Sequence, residues 1–157
     1  MNRRNFLVRT CGAAAAAAAL PAWSQSATAD RVVKTAEEWR KVLTPEQFYV
    51  LREEGTERPG SSPLNQEKRK GTFVCAACAL PLFSSATKFE SGTGWPSFYE
   101  PIAGAVATKV DYKIIAPRTE YHCRRCEGHQ GHVFDDGPKP TGKRYCNNGV
   151  ALKFVPA

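Results

Sequence analysis

Six cysteines stand in this 157-residue sequence, and their spacing divides five of them into two kinds of chemistry. Cys75-Ala-Ala-Cys78 and Cys123-Arg-Arg-Cys126 are Cys-x-x-Cys pairs. Each pair can wrap a turn that points both sulfurs at one tetrahedral ion, and two such knuckles complete a closed Cys₄ shell, the donor set of a structural zinc. The gap of 44 residues between Cys78 and Cys123 exceeds ordinary ribbon spacing, so a domain is threaded between the knuckles. Other uses of the same residues compete with this one. In an oxidising compartment four cysteines can form two disulfides. The same four sulfurs can also hold iron, as in a rubredoxin-like carrier. Cys123, Cys126, His129 and His132 recur every three residues and could make a local Cys₂His₂ site. That choice compresses the usual histidine spacing and leaves Cys75 and Cys78 idle. A thioredoxin-like redox pair needs a βαβ setting, which neither motif has. A single structural Zn²⁺ on Cys75, Cys78, Cys123 and Cys126 is the preferred reading.

The remaining mature cysteine, Cys146, stands apart in Gly-Lys-Arg-Tyr-Cys-Asn-Asn-Gly. Free cysteine is often a small buried core residue. On a strand, however, Arg144, Cys146 and Asn148 share one face, and a guanidinium beside a thiol favours the nucleophilic thiolate. Such a nucleophile wants an acid or base. The histidines are His122, His129 and His132, and two of them lie in Glu-Gly-His-Gln-Gly-His-Val-Phe-Asp-Asp-Gly. His132 can supply a proton to a leaving oxygen, with His129 assisting and Asp136 holding the arrangement; the competing role is to cap loops beside the metal knuckle. Trp95, in Ser-Gly-Thr-Gly-Trp-Pro-Ser-Phe, sits on a loop set by two glycines and a proline. It is either a recognition wall for a small apolar group or a loop anchor.

These residues need a frame, and the pattern from residue 71 onward is that of strands. Residues 72–75, 106–115, 119–123 and 150–155 alternate or cluster as strands do. Glycine- and proline-rich stretches at 91–96, 101–104 and 137–142 separate them. Residues 35–54 read instead as two short helices. In the second, Thr44-Pro45-Glu46-Gln47 supplies an N-cap, a proline at the first helical position and a capping-box glutamine. Phe48, Val50 and Leu51 then face inward, and Gly55 ends the helix. The expected class is mainly β with a small helical N-terminal part.

The first 29 residues read as an export signal rather than as part of that domain. Arg3-Arg4-Asn5-Phe6-Leu7 has a twin-arginine core, followed by a short alanine-rich run and small residues suited to cleavage. An ordinary secretory signal or an uncleaved anchor is the alternative. The run is too short to span a bilayer stably. Loss of Arg3, Arg4 and Arg9 with the leader lowers the formal charge from +7 to +4. Charge therefore gives weak support to nucleic-acid binding, and none is expected. The expected product is one soluble exported or periplasmic domain over residues 30–157. A twin-arginine route carries folded proteins, so the metal can be loaded in the cytoplasm before the thiols meet periplasmic oxidants.

Taken together, Cys-x-x-Cys, Gly-Trp-Pro-Ser-Phe, Arg-Thr-Glu before the second Cys-x-x-Cys, His-x-Gly-His-Val-Phe and Gly-x-Arg-Tyr-Cys-x-Asn resemble the B-type methionine sulfoxide reductases over residues 35–154. The resemblance implies twisted sheets forming a partial barrel merged with a zinc ribbon, and structural zinc on the four paired cysteines. It implies Cys146 as nucleophile, with supporting roles for His129, His132, Asp136, Arg144 and Asn148. Trp95 would line the pocket for the substrate methyl group, with Phe134 also on the substrate side. The implied substrate is methionine-R-sulfoxide in an oxidised protein or peptide, or as the free amino acid, and the implied partner a thioredoxin-like or other thiol reductant. Thr93 stands where many members of that family carry a resolving cysteine. The expectation is a one-cysteine cycle, in which an external thiol attacks the Cys146 sulfenic acid. Gln130 and Gly149 also depart from the leucine and serine common in the family.

Overall fold

The computed structural model describes residues 31–157; the leader expected over residues 1–29 lies outside the described residues. Two helices open the described chain, α1 (Ala36–Val42) and α2 (Pro45–Glu53). Both begin with the reciprocal capping box. Thr35 Oγ1 accepts from the Glu38 amide at 3.3 Å, while the Thr35 amide donates to Glu38 Oε2 at 2.7 Å. Thr44 and Gln47 repeat the exchange at 3.1 Å in each direction. Orphan donors at helix starts are satisfied this way, which lets helices this short persist once an apolar face is buried. The buried face comprises Trp39, Leu43, Phe48, Val50 and Leu51, as the pattern in α2 foretold. Glu54 takes the left-handed conformation that closes α2, and the Gly55 amide returns to the Tyr49 carbonyl at 3.0 Å.

The rest is antiparallel β structure in two sheets. The smaller sheet has the order β2 (Pro81–Ser84), β1 (Gly71–Cys75), β9 (Leu152–Pro156). The larger runs β3 (Lys88–Phe89), β4 (Ser97–Phe98), β8 (Arg144–Asn147), β7 (His129–Phe134), β6 (Arg118–Cys123), β5 (Val106–Asp111). An aromatic cluster joins them: Phe83 stacks on Phe98 with centroids 4.2 Å apart, and Phe73 meets Phe98 edge-on at 4.9 Å. Phe73, Phe83, Phe98 and Tyr121 are fully buried.

The expected class therefore holds, with differences in extent. The strand expected over residues 106–115 stops at Asp111, and Tyr112, Ile114 and Ile115 stand in solvent. Their alternation continues, but there is no core for one face to meet. Val150 belongs to a 3₁₀ turn (Gly149–Ala151), so the last strand begins two residues later, at Leu152. β2, β3, β4, β7 and β8 are additional to the four runs expected, β8 being the segment around Cys146 that the sequence reads as a strand only conditionally.

Candidate active site and metal centre

The four paired cysteines converge on one point. Cys75, Cys78, Cys123 and Cys126 place their sulfurs within 4.8 Å of one another, with Cys75 to Cys126 at 3.6 Å and Cys78 to Cys123 at 3.5 Å. A tetrahedral zinc with bonds of about 2.3 Å requires sulfurs about 3.8 Å apart, whereas a disulfide requires about 2.05 Å. Both of these approaches run between the knuckles, so one ion can be shared by the two pairs. The knuckles are built alike. Ala79 and Glu127, each immediately after the second cysteine of its pair, take positive φ, 57° and 58°. Their amides return to the Cys75 and Cys123 carbonyls, both at 2.8 Å. Beside this shell the Gln130 side-chain amide is directed at sulfur: its Nε2 donates to Cys75 Sγ at 3.6 Å. Arg52 donates to the Cys126 carbonyl at 2.8 Å, tying α2 to the second knuckle. The donor set and its spacing fit one structural zinc. The Cys₂His₂ alternative fails because His129 and His132 are engaged elsewhere.

Cys146 lies in β8, between β4 and β7. Its backbone partners are Ser97 on one side and His132 on the other. Residues directly opposite in an antiparallel pair project from the same face, so thiol and imidazole are neighbours by register. Burial pushes the Cys146 thiol above its usual range; the Arg144 guanidinium and the Thr93 hydroxyl oppose that shift without overcoming it. Burial also lowers the pKa of His132, and Asp111 opposes this by accepting from Nε2 at 2.7 Å. Arg118 and His129 nearby push it further down. Asp111 itself is held well below the carboxylate range, with the Lys113 amide, His132 and Arg118 all donating to it. An ionised Asp111 fixes the proton on His132 Nε2 and leaves Nδ1 for the reaction.

His129 is buried, 3% exposed, and Nδ1 meets Glu120 Oε1 at 2.7 Å. Glu120 also reaches His122 Nδ1, at 3.1 Å. Burial alone would raise the Glu120 carboxyl, but these two histidines bring it down to about 2. The carboxylates that hold the histidines are thus Asp111 and Glu120. Asp136, expected in that role, instead grips Arg144 with two bonds of 2.8 Å, and its side chain is 62% exposed. Its carboxylate orients the guanidinium that leans on Cys146. The same guanidinium lies 4.4 Å from the Phe134 ring centroid.

A cavity of about 150 Å³ opens over Cys146, walled by Trp95, Phe134, His132, Arg118 and Asn148. The Trp95 loop needs its glycines. Gly92 and Gly94 have φ of 72° and 91°, and a Cβ on Gly94 would lie 2.8 Å from Pro59 and 2.9 Å from the Gly60 amide. Trp95 Nε1 donates to the Glu57 carbonyl at 3.2 Å, which turns the ring into the cavity wall. Asn148 follows the strand as the cap of the 3₁₀ turn, and its amide donates to the Gln130 carbonyl at 3.0 Å while accepting from the Glu57 amide. Cys146, His132, Trp95, Phe134 and Asn148 therefore meet at one cavity, with Arg144 beside the thiol. His129 and Asp136 stand behind them. The cavity's Arg118, together with Asp111 and Glu120, were not singled out from sequence; a clue to two of them lay in the quoted Arg-Thr-Glu segment.

The SelR domain family matches residues 43–156. A peptide methionine sulfoxide reductase MsrB of Methanosarcina barkeri is 60% identical over 124 residues, covering 78% of this chain and 87% of the relative. Proteins of the same name from Methanosarcina mazei and Leptospira interrogans are 55% and 54% identical, covering 80% and 78% of this chain and 91% and 95% of theirs. With matches of this extent spanning both knuckles and the reactive strand, the chain belongs to the B-type methionine sulfoxide reductase family.

Proposed function

We propose that the protein reduces methionine-R-sulfoxide in oxidised proteins or peptides to methionine. The observation that carries this reading is Cys146 set directly opposite His132 beneath a cavity with an aromatic wall. A sulfoxide sulfur is electrophilic, but its oxygen leaves only when protonated. The Cys146 sulfur attacks the substrate sulfur, and His132 Nδ1 delivers the proton to oxygen. The hydroxyl then passes from the substrate sulfur to the Cys146 sulfur as the transient sulfur–sulfur bond breaks; methionine departs with that bond's electron pair, and Cys146 is left oxidised as a sulfenic acid. Trp95 and Phe134 receive the methyl end, where an apolar surface costs no unmet hydrogen bond. Zinc supplies folding free energy at the knuckles and takes no part in these steps.

Thr93 is the neighbour of Cys146 that might otherwise have resolved the sulfenic acid, and a hydroxyl cannot form a disulfide. An external thiol, thioredoxin-like or small, therefore attacks the sulfenic sulfur, releasing water. A second thiol returns Cys146 to the reduced state. The zinc-loaded protein, given a racemic methionine sulfoxide peptide and dithiothreitol, should consume the R epimer alone, and Cys146→Ser should consume neither. One turnover without reductant should leave one added oxygen on the intact mass. Loss of two hydrogens instead would refute the one-cysteine cycle.

The leader supports export by the twin-arginine route, with zinc bound before translocation. Replacing it with an unfolded-export signal should lower zinc occupancy of the exported protein; equal occupancy would sink the idea.

A further inference from the structure

Outside the residues already given roles, Glu57 has an unusual position. Its carboxylate is half-buried and pairs with no cation among the described residues, and burial raises its pKa despite two bonds to backbone amides. Oε1 accepts from the Gly149 amide at 2.6 Å and Oε2 from the Val150 amide at 2.9 Å. Both donors open the 3₁₀ turn that follows the reactive strand. The backbone of the same residue reaches the cavity twice. Its amide donates to Asn148 Oδ1 at 3.0 Å, and its carbonyl accepts from Trp95 Nε1 at 3.2 Å.

One residue thus touches both walls of the cavity over Cys146. On one side is the Trp95 loop, on the other the turn two residues beyond the thiol. The contact is built in from several directions. The Gly60 amide donates to the Gly94 carbonyl at 2.7 Å, and Asn65 Nδ2 donates to that carbonyl at 2.9 Å. The loop carrying Glu57 is therefore strapped to the Trp95 loop along its length. Gly149 makes room for the carboxylate, since a Cβ there would stand 3.3 Å from Glu57 Oε1 and 1.9 Å from Ser62 Oγ. A purely local helix cap would need only the carboxylate bonds, and the two backbone bonds to Asn148 and Trp95 exceed that need. Bonds to a carboxylate are stronger than neutral ones, so the turn is the firmer anchor and the indole the part that depends on it.

We propose that Glu57 is a positioning residue for the reaction. Its carboxylate, clamped on the Gly149–Val150 turn, fixes the separation between Trp95 and the Cys146–Asn148 segment. Its effect on turnover rests on the reductase reading; its effect on Trp95 does not. Glu57→Gln keeps the shape but turns one acceptor into a donor facing an amide, and Glu57→Ala removes both acceptors.

The test uses the zinc-loaded protein with ¹⁵N spectra and steady-state kinetics. In Glu57→Gln, the Gly149 and Val150 amide signals move, and the Trp95 indole and Asn148 side-chain amide signals move with them. KM for the R-sulfoxide peptide rises about tenfold with kcat within about threefold, the signature of a wall displaced rather than chemistry lost. Alkylation of Cys146 by iodoacetamide stays within about twofold of wild type, because the thiol's own neighbours are unchanged. Adding Glu57→Gln to Trp95→Phe, which already lacks the indole donor, costs much less than it does alone. If the Trp95 signal stays put while the turn signals move, or if KM is unchanged beside an active wild type, the proposal falls and the reductase reading stands. If the wild type consumes no sulfoxide but the Trp95 signal follows the Glu57 change, the reductase reading falls and the positioning stands. Should Glu57→Ala lose zinc or fold, Glu57→Gln alone decides.

Discussion

Cys146 and His132 form a pair whose acidities are driven apart by the same burial. The thiol is raised above its ordinary value and the imidazole lowered below its own. Between those two values the pair holds one proton, on sulfur or on nitrogen. The proposed mechanism needs one thiolate and one proton, so on that reading this singly protonated pair is the competent form. Below the lowered His132 value the pair carries two protons and no thiolate; above the raised Cys146 value it carries none to give. The kcat/KM profile should therefore show a broad plateau that begins below pH 6.5 and extends above pH 9, the two ordinary values. Asp111→Asn removes the anion that counters the burial of His132, so the acidic limb should move to lower pH and the rate fall about tenfold or more. A stopped-flow titration of sulfoxide-dependent Cys146 oxidation checks both; an acidic limb that stays fixed or moves up would contradict the assignment of Asp111.

At the scale of elements, the site depends on short segments that pattern alone does not reveal. β1 and β6 were legible from clustered strand-forming residues, Thr-Phe-Val-Cys and Thr-Glu-Tyr-His-Cys, although consecutive residues of both are buried. β3 and β4 have two residues each, and two residues carry no periodicity. β7 reads His-Gln-Gly-His-Val-Phe, and its burial comes from histidine–carboxylate bonds and a close glycine rather than from an apolar face. Cys146, His132 and Trp95 stood out by residue type and by the motifs that carry them. Their partners Asp111, Glu120 and Glu57 did not, because strand order and loop docking bring them there across gaps no local signal spans. The Trp95 loop is where such an element can be broken without touching a reacting atom. Gly94→Ala places a side chain at φ of 91° against Pro59 and Gly60. It should cost about 1–3 kcal/mol of stability and raise KM more than it lowers kcat. Chemical denaturation beside kinetics checks this, and an unchanged KM would show that the loop does not set the Trp95 wall.

For the whole molecule, the two knuckles tie together parts of the chain that no other covalent link joins. Cys75 ends β1 of the smaller sheet and Cys123 ends β6 of the larger. The metal shell is thus a junction between sheets, and Gln130 extends it inward, from Cys75 Sγ to Asn147 Nδ2 at 3.4 Å from its Oε1. Chelation should remove stabilisation on the order of 10 kcal/mol, more than a domain of this size has to spare. Cys75→Ser or zinc withdrawal should therefore lower the Tm steeply and abolish turnover together. A metal-free protein that kept its wild-type Tm would show that the sheets close without the junction.

The order of the strands also has a consequence for how the protein is made. β9, synthesised after every other described strand, pairs along the whole of β1, the earliest of them. β4 likewise waits for β8, and the first knuckle waits for the second. Until Cys126 emerges, the first knuckle's thiols have no second pair with which to share an ion. Until β8 emerges the larger sheet lacks the strand that joins β4 to β7, and until β9 emerges β1 keeps an open edge. Contacts of such long sequence separation fold slowly and leave sticky intermediates. The growing chain is therefore a natural client for a chaperone that shields its edges, and a ribosome stalled within β9 would present a nearly complete enzyme that cannot close.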